Sequence, residues 1–125
     1  MIRITDNRRE IRTAIEASSI FATIQHDLAV VAEIDGEIVA IATIDGDDID
    51  EINEQIEDDN WYPVLYDLGV TKSGYAGQLV RWMQDNASQI VADNVLEEAV
   101  SFWQHMGFTD GGESDDGDPI MVWNS

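Results

Sequence analysis

The sequence predicts a single α/β domain on one mixed central sheet, with elements in the order β-α-α-β-β-β-α-β-α-β-β. Three observations predict it. The chain has 125 residues, 44% of them hydrophobic, which suits one core and one domain over residues 1–125. An Asp-Gly dipeptide separates two apolar strand-like runs. Two strand-then-helix units follow that hairpin, a pattern that excludes a sandwich or a bundle.

Taken in order, Ile2 and Ile4 alternate with Arg3 as in a short edge strand. Asp6 or Asn7 can cap a helix running to about Ala17, with Ile11, Ala14, Ile15 and Ser18 on one face. Ile20, Phe21 and Ile24 suggest a second short helix within Ser18 to Asp27. Strands are expected over Ala29 to Ile34 and Glu37 to Ile44, with Asp35-Gly36 forming a type I′ turn.

Asp45 to Asn60 reads as a short amphipathic helix or a solvated loop, since Ile49, Ile52 and Ile56 fall at helical spacing. Trp61 to Val70 is expected as a strand, with Pro63 at its start or on an edge. Ser73 to Gly77 is a glycine-bearing turn, and Gly77 to Asn86 a helix with Leu79, Val80 and Met83 inward. Gln89 to Ala92 reads as a short buried strand, and Leu96 to Met106 as a helix ended by Gly107. Phe108-Thr109 and Ile120 to Trp123 are terminal strands, with the acidic loop GGESDDGD between them.

Charge narrows the partners. Twenty-six Asp and Glu stand against five Arg and one Lys, Lys72, for a net charge of −20. Such a surface repels nucleic acid and anionic membrane, so neither is expected as a partner. The acids are spread along the chain, as on a halophilic surface kept hydrated at high salt. Asp45, Asp47 and Asp50 look like calcium ligands, but a twelve-residue loop would place Asp50 where Gly belongs and Ile56 where Glu belongs. No metal site is expected. Without cysteine there is no disulfide, thiolate nucleophile or zinc–cysteine site. MIRITDNRRE lacks an apolar signal core, so a cytoplasmic protein is expected. Trp61 and Trp123 are read as exposed, which points to a homodimer contact.

The chemistry is expected between Tyr62 and Asn86. A strand that ends in a glycine turn and opens a helix can cradle a pyrophosphate, because free N–H groups and the helix dipole favour an anion there. Gly74, Ala76 and Gly77 lack bulk, so a phosphate could approach their backbone; the same small residues would equally suit tight strand–helix packing.

In LGVTKSGYAGQLVRWM, Leu68 and Val70 end the strand, Gly74 and Ala76 are the small positions, and Leu79-Val80 the apolar pair. This resembles the acetyl-CoA motif of the GNAT superfamily of N-acetyltransferases. AVSFWQHMGF resembles that family's Ala-x-x-Phe-Tyr-x-x-x-Gly-Phe helix end, and VVAEIDGEIVAIATI its preceding hairpin. Together they span residues 29 to 108. The resemblance implies a GNAT-type sheet and acetyl-CoA as co-substrate. It also implies a cofactor site at Leu68, Gly69, Val70, Thr71, Gly74, Tyr75, Ala76, Gly77, Gln78 and Asn94. It departs from the family at Thr71, which replaces Gln or Arg, in a shorter loop, and at Leu96, which replaces Asn. Trp103 stands in place of the Tyr that often protonates the departing thiolate, and an indole N–H cannot act as general acid. Trp103 is therefore expected in the core.

The implied reaction moves acetyl from acetyl-CoA to a primary amine, on a small molecule or a protein. A backbone N–H near Gly69 or Val70 would polarise the thioester carbonyl. Asp67 could act as base, directly or through water, and Tyr66 supplies a hydroxyl. Strand alternation would let only one of the two line the cleft. His26 and His105 have no metal-ligand spacing, and His105 is expected to face solvent. Two rival readings remain: a GNAT-fold module without transfer, of a halophile or its virus, and an acidic decoy of nucleic acid.

Overall fold

A computed structural model describes residues 1–18, 27–93 and 95–125. Seven strands form one sheet: β1 (Ile2–Thr5), β2 (Leu28–Ile34), β3 (Glu37–Ile44), β4 (Val64–Val70), β5 (Gln89–Ala92), β6 (Thr109–Glu113) and β7 (Pro119–Asn124). Helices are α1 (Arg8–Ala17), α2 (Ile49–Glu57), α3 (Tyr75–Asn86) and α4 (Val100–His105), the last entered through a 3-10 turn at Glu97–Ala99. The sheet order is β1-β2-β3-β4-β5-β7-β6. β4 and β5 run parallel; every other pair is antiparallel. The expected mixed α/β sheet is therefore present. The expected second helix, Ser18 to Asp27, falls on 19–26 and lies outside the described residues, as do His26 and Asn94.

Local signals explain the antiparallel half. Asp35 (φ 53°) and Gly36 (φ 82°) make the type I′ turn between β2 and β3. Asn7 caps α1 by accepting from the Glu10 N–H at 3.1 Å. α1 lays Ile11 and Ala14 on one sheet face, against Ala29, Val31 and Ile41. The segment from Asp45 to Asn60 contains a helix, because Asp48 caps α2 through the N–H groups of Asp50 and Glu51. Asp45 accepts from the Val64 N–H at 2.9 Å. These acids close backbone valences, and among the described residues no three His, Cys, Asp or Glu are grouped to hold a metal ion.

The larger core gathers Leu28, Val30, Ala42 and Ile44 of the sheet with Leu79, Val80 and Met83 of α3. Those three α3 side chains are fully buried, each worth roughly 1.5–3 kcal/mol of transfer from water. Gln84 of α3 donates to the Met106 carbonyl at 2.6 Å, tying α3 to the end of α4. Gly107 (φ 90°) ends α4 as expected.

Two expectations change. Trp61 is buried, edge-on to Trp82 with ring centroids 6.2 Å apart, so it offers no exposed dimer contact. Trp123 is half-buried against the larger core. At the C-terminal edge, the expected loop contributes its first residues, Gly111 to Glu113, to β6, because Gly111 lets the strand lie on β7. A Cβ there would stand 2.5 Å from Val122 Cγ2. Among the described residues no helix is long and apolar enough to cross a membrane.

Candidate functional site

The site is built where β4 leaves β5. Their register holds for two pairs, Val64 with Val91 and Leu65 with Ala92, and the Asp93 N–H still reaches the Leu65 carbonyl at 2.8 Å. β4 continues to Val70, paired with β3 along its other edge. Among the described residues no β4–β5 strand pairing continues beyond the Asp93–Leu65 bond, which leaves a gap in the pairing along the β5 side of β4.

Backbone alternation decides which groups line the gap. The Thr71 N–H donates to the Val39 carbonyl at 3.0 Å, so the Thr71–Val39 pair is of the hydrogen-bonded kind. Gly69 opposite Ile41 is then of the same kind, and its N–H faces β3. Leu68 and Val70 turn their N–H groups the other way, into the gap. Thr71 is bound back to β3 a second time, its hydroxyl donating to the Ile38 carbonyl at 3.4 Å.

A bulge sits in the middle of β4. Thr43 pairs with Asp67 and Ile44 with Leu65, leaving Tyr66 as the extra residue. Bulges bend a strand and re-aim its side chains, and they are common beside active sites. The simple alternation expected for Tyr66 and Asp67 is thus interrupted between them. Asp67 is half-buried, with Oδ2 accepting from the Thr43 hydroxyl at 3.0 Å. Burial pushes the Tyr66 phenol above its ordinary range, and the carboxylates of Asp45 and Asp93 add to the effect.

The mouth of the gap is the start of α3. Gly74 is its N-cap, left-handed at φ 93°, and no side chain caps the helix. A Cβ on Gly74 would meet nothing within 4 Å, and one on Gly77 only Met106 Sδ at 3.9 Å. Tight packing therefore does not explain these small residues, whereas open backbone N–H groups do suit an approaching anion. Tyr75, Ala76 and Gly77 are half-buried in the first turn, and Gln78 is exposed.

The charge distribution supplies a signal that motif reading missed. α1 carries Glu10 in its first turn, α2 carries Asp50 and Glu51, and the 3-10 turn carries Glu97 and Glu98; α3 carries no acid there. From Leu68 to Gln84 the chain has no Asp or Glu, its longest acid-free run. Lys72 and Arg81 lie inside it; the other four basic residues fall within the first twelve positions. Lys72 is exposed and only loosely paired with Glu37, at 3.7 Å. On a chain of charge −20, this is the surface an anion can approach.

Trp103 is 4% exposed and stacks edge-on against Phe102 and Phe108, at 5.2 and 4.8 Å between centroids. It is a core residue, as expected. Leu96, at the expected Asn position, is exposed, and so is His105.

No protein-family model and no curated protein matches the sequence. Solved structures match over the whole chain. Bacillus subtilis N-acetyltransferase YlbP, solved with coenzyme A, aligns with a TM-score of 0.66 and 14% identity over 100% of this chain and 97% of that one. An Arabidopsis thaliana protein solved with the bisubstrate analogue CoA-Ac-MVNAL aligns at 0.62 and 11%, over 99% of each chain. E. coli YhhK bound to coenzyme A aligns at 0.57 and 14%, over 98% of each. The chain has the GNAT fold.

Proposed function

We propose that this GNAT-fold chain binds acetyl-CoA in the gap between β4 and β5 and transfers the acetyl group to a primary amine. The observation that carries the proposal is the coincidence of three features in one place. β4 parts from β5 after Leu65, α3 opens without a side-chain cap, and the acid-free run from Leu68 to Gln84 surrounds both. Coenzyme A needs that combination: strand edge for its amide-bearing arm, and open N–H groups for its pyrophosphate.

In this reading Tyr75, Ala76 and Gly77 offer backbone N–H groups to the pyrophosphate, with Gly74 and Gln78 beside them and Lys72 and Arg81 as flanking charge. Leu68 and Val70 donate along the gap, one of them to the thioester carbonyl. The amine nitrogen attacks the thioester carbon, the new C–N bond forms and the C–S bond breaks. The amine's proton passes to Asp67, directly or through water. The thiolate takes a proton from Tyr66, whose raised pKa keeps the phenol protonated before the step, and the phenolate regains a proton from water after it. Gly69 and Thr71, also expected at the cofactor, direct their backbone N–H groups to β3 and take no part in this reading. The acidic surface favours a cationic acceptor. Related folds include an agmatine N-acetyltransferase and the peptide-analogue complex above, so a small amine and a peptide are both suitable probes.

Calorimetric titration with acetyl-CoA and with CoA tests the reading. Saturable binding of both is expected, and no heat at millimolar ligand would overturn it. The burial of Trp103 at the usual general-acid position favours a second reading, a binding module without transfer. Thiol release from acetyl-CoA that depends on agmatine or the peptide MVNAL decides between them.

A further inference from the structure

We infer that Thr43 is a positioning residue for Asp67, fixing the carboxylate that receives the amine's proton; the inference rests on the transferase reading above. Among the described residues, Thr5 and Thr43 are the two buried polar side chains, at 5% and 0% exposure. Cross-strand register runs Thr5–Ala29–Thr43–Asp67, so both threonines lie in the row that ends at Asp67. Thr43 has apolar neighbours along this face, Ala29 across β2 and Ile41 two residues back on β3, both fully buried. A hydroxyl enclosed there needs partners.

Its partners both belong to Asp67. The Thr43 hydroxyl accepts from the Asp67 backbone N–H at 3.0 Å and donates its one proton to Asp67 Oδ2, also at 3.0 Å. The first bond supplies the acceptor for an N–H displaced by the Tyr66 bulge. The second closes a ring through the carboxylate. One hydroxyl therefore holds the strand bulge and the carboxylate orientation together. Valine has nearly the same shape but can make neither bond, while serine can make both. A side chain held by two bonds spends more time in the productive geometry, and misplacement by about 1 Å can cost on the order of 100-fold in rate.

The test uses the full chain, saturating acetyl-CoA, and agmatine and MVNAL as probe amines. Thr43→Val should lower kcat by about 10- to 100-fold, a part of the roughly 100- to 10,000-fold that a positioned base contributes. Its Kd for acetyl-CoA should stay within about twofold, since Thr43 lies on the sheet face that carries α1 rather than α3. Thr43→Ser should recover most of the rate. Asp67→Asn should cost at least as much as Thr43→Val, and the double variant should lose no more than Asp67→Asn alone, because Thr43 acts through Asp67. Should the valine variant fail to fold, Thr43→Ala takes its place in the cycle. Full kcat in Thr43→Val, or additive losses in the double variant, overturns the inference. Wild-type protein that binds acetyl-CoA but acetylates neither probe also overturns it and leaves the binding reading intact. Absence of acetyl-CoA binding removes the parent reading instead.

Discussion

α2 and α3 begin in opposite ways. α2 is closed by its own sequence: Asp48 accepts two backbone N–H groups, and Asp50 and Glu51 place negative charge in the first turn. α3 begins at Gly74 in a left-handed conformation, with no side-chain cap and no acid in its first turn. The same backbone physics operates at both ends, since each presents orphan N–H groups and a partial positive charge. In α2 the chain satisfies them itself, and an anion gains nothing there. In α3 they are left for something else. In a protein with 26 acids, omission of every acid from Leu68 to Gln84 is the more informative of the two arrangements.

The sharpest way to break this comparison is to fill the open end. Gly74→Trp should weaken acetyl-CoA binding by at least about 100-fold, roughly 2.7 kcal/mol. It places bulk at the mouth and forces a non-glycine residue to φ 93°. Retained affinity by calorimetry would put the ligand elsewhere. Ala76→Glu makes the start of α3 resemble that of α2, and should raise Kd by about tenfold, or 1.4 kcal/mol, through repulsion of the pyrophosphate. High salt should soften that loss, which a titration at two ionic strengths would read.

The converse substitution is Asp48→Ala. Loss of the cap should cost about 1 kcal/mol of stability in urea melts, with acetyl-CoA affinity unchanged. A change in affinity would mean that the two helix starts are coupled. The smallest effect concerns the middle of β4. Tyr66 has its phenol raised, so its contribution to stability is complete below the ordinary value of 10.0 and is lost as pH rises through the folded value. Tyr66→Phe should therefore flatten the alkaline side of the stability curve above about pH 10. An unchanged alkaline limb would show that neither burial nor the carboxylates of Asp45 and Asp93 raise the phenol.

Much of the fold was readable because it depends on neighbours in sequence. Asp35-Gly36 specifies a turn from two residues' preferred φ, and both adopt it. Leu79, Val80 and Met83 mark the buried face of α3 by spacing alone. The glycine turn at Gly74 was likewise visible. Trp61 was misread because exposure depends on Trp82, a partner twenty-one residues away on α3. β6 was read too short because Gly111 gains its meaning only against Val122 of β7. The partnership of Thr43 with Asp67 was invisible, since register across 24 residues creates it. Lys72 and Arg81 were missed for a different reason. Their signal lies in the absence of acids around them, which a search for motifs does not weigh.

The sequence by itself determined the turns, the caps, the helix faces and the charge of the surface, because each rests on the conformational preferences or spacing of a few adjacent residues. The tertiary structure alone decided where β4 leaves β5, that Tyr66 bulges, and that the Leu68 and Val70 N–H groups rather than that of Gly69 face the opening. Strand pairing has a period of two, so one extra residue in β4 reassigns which backbone groups and side chains meet.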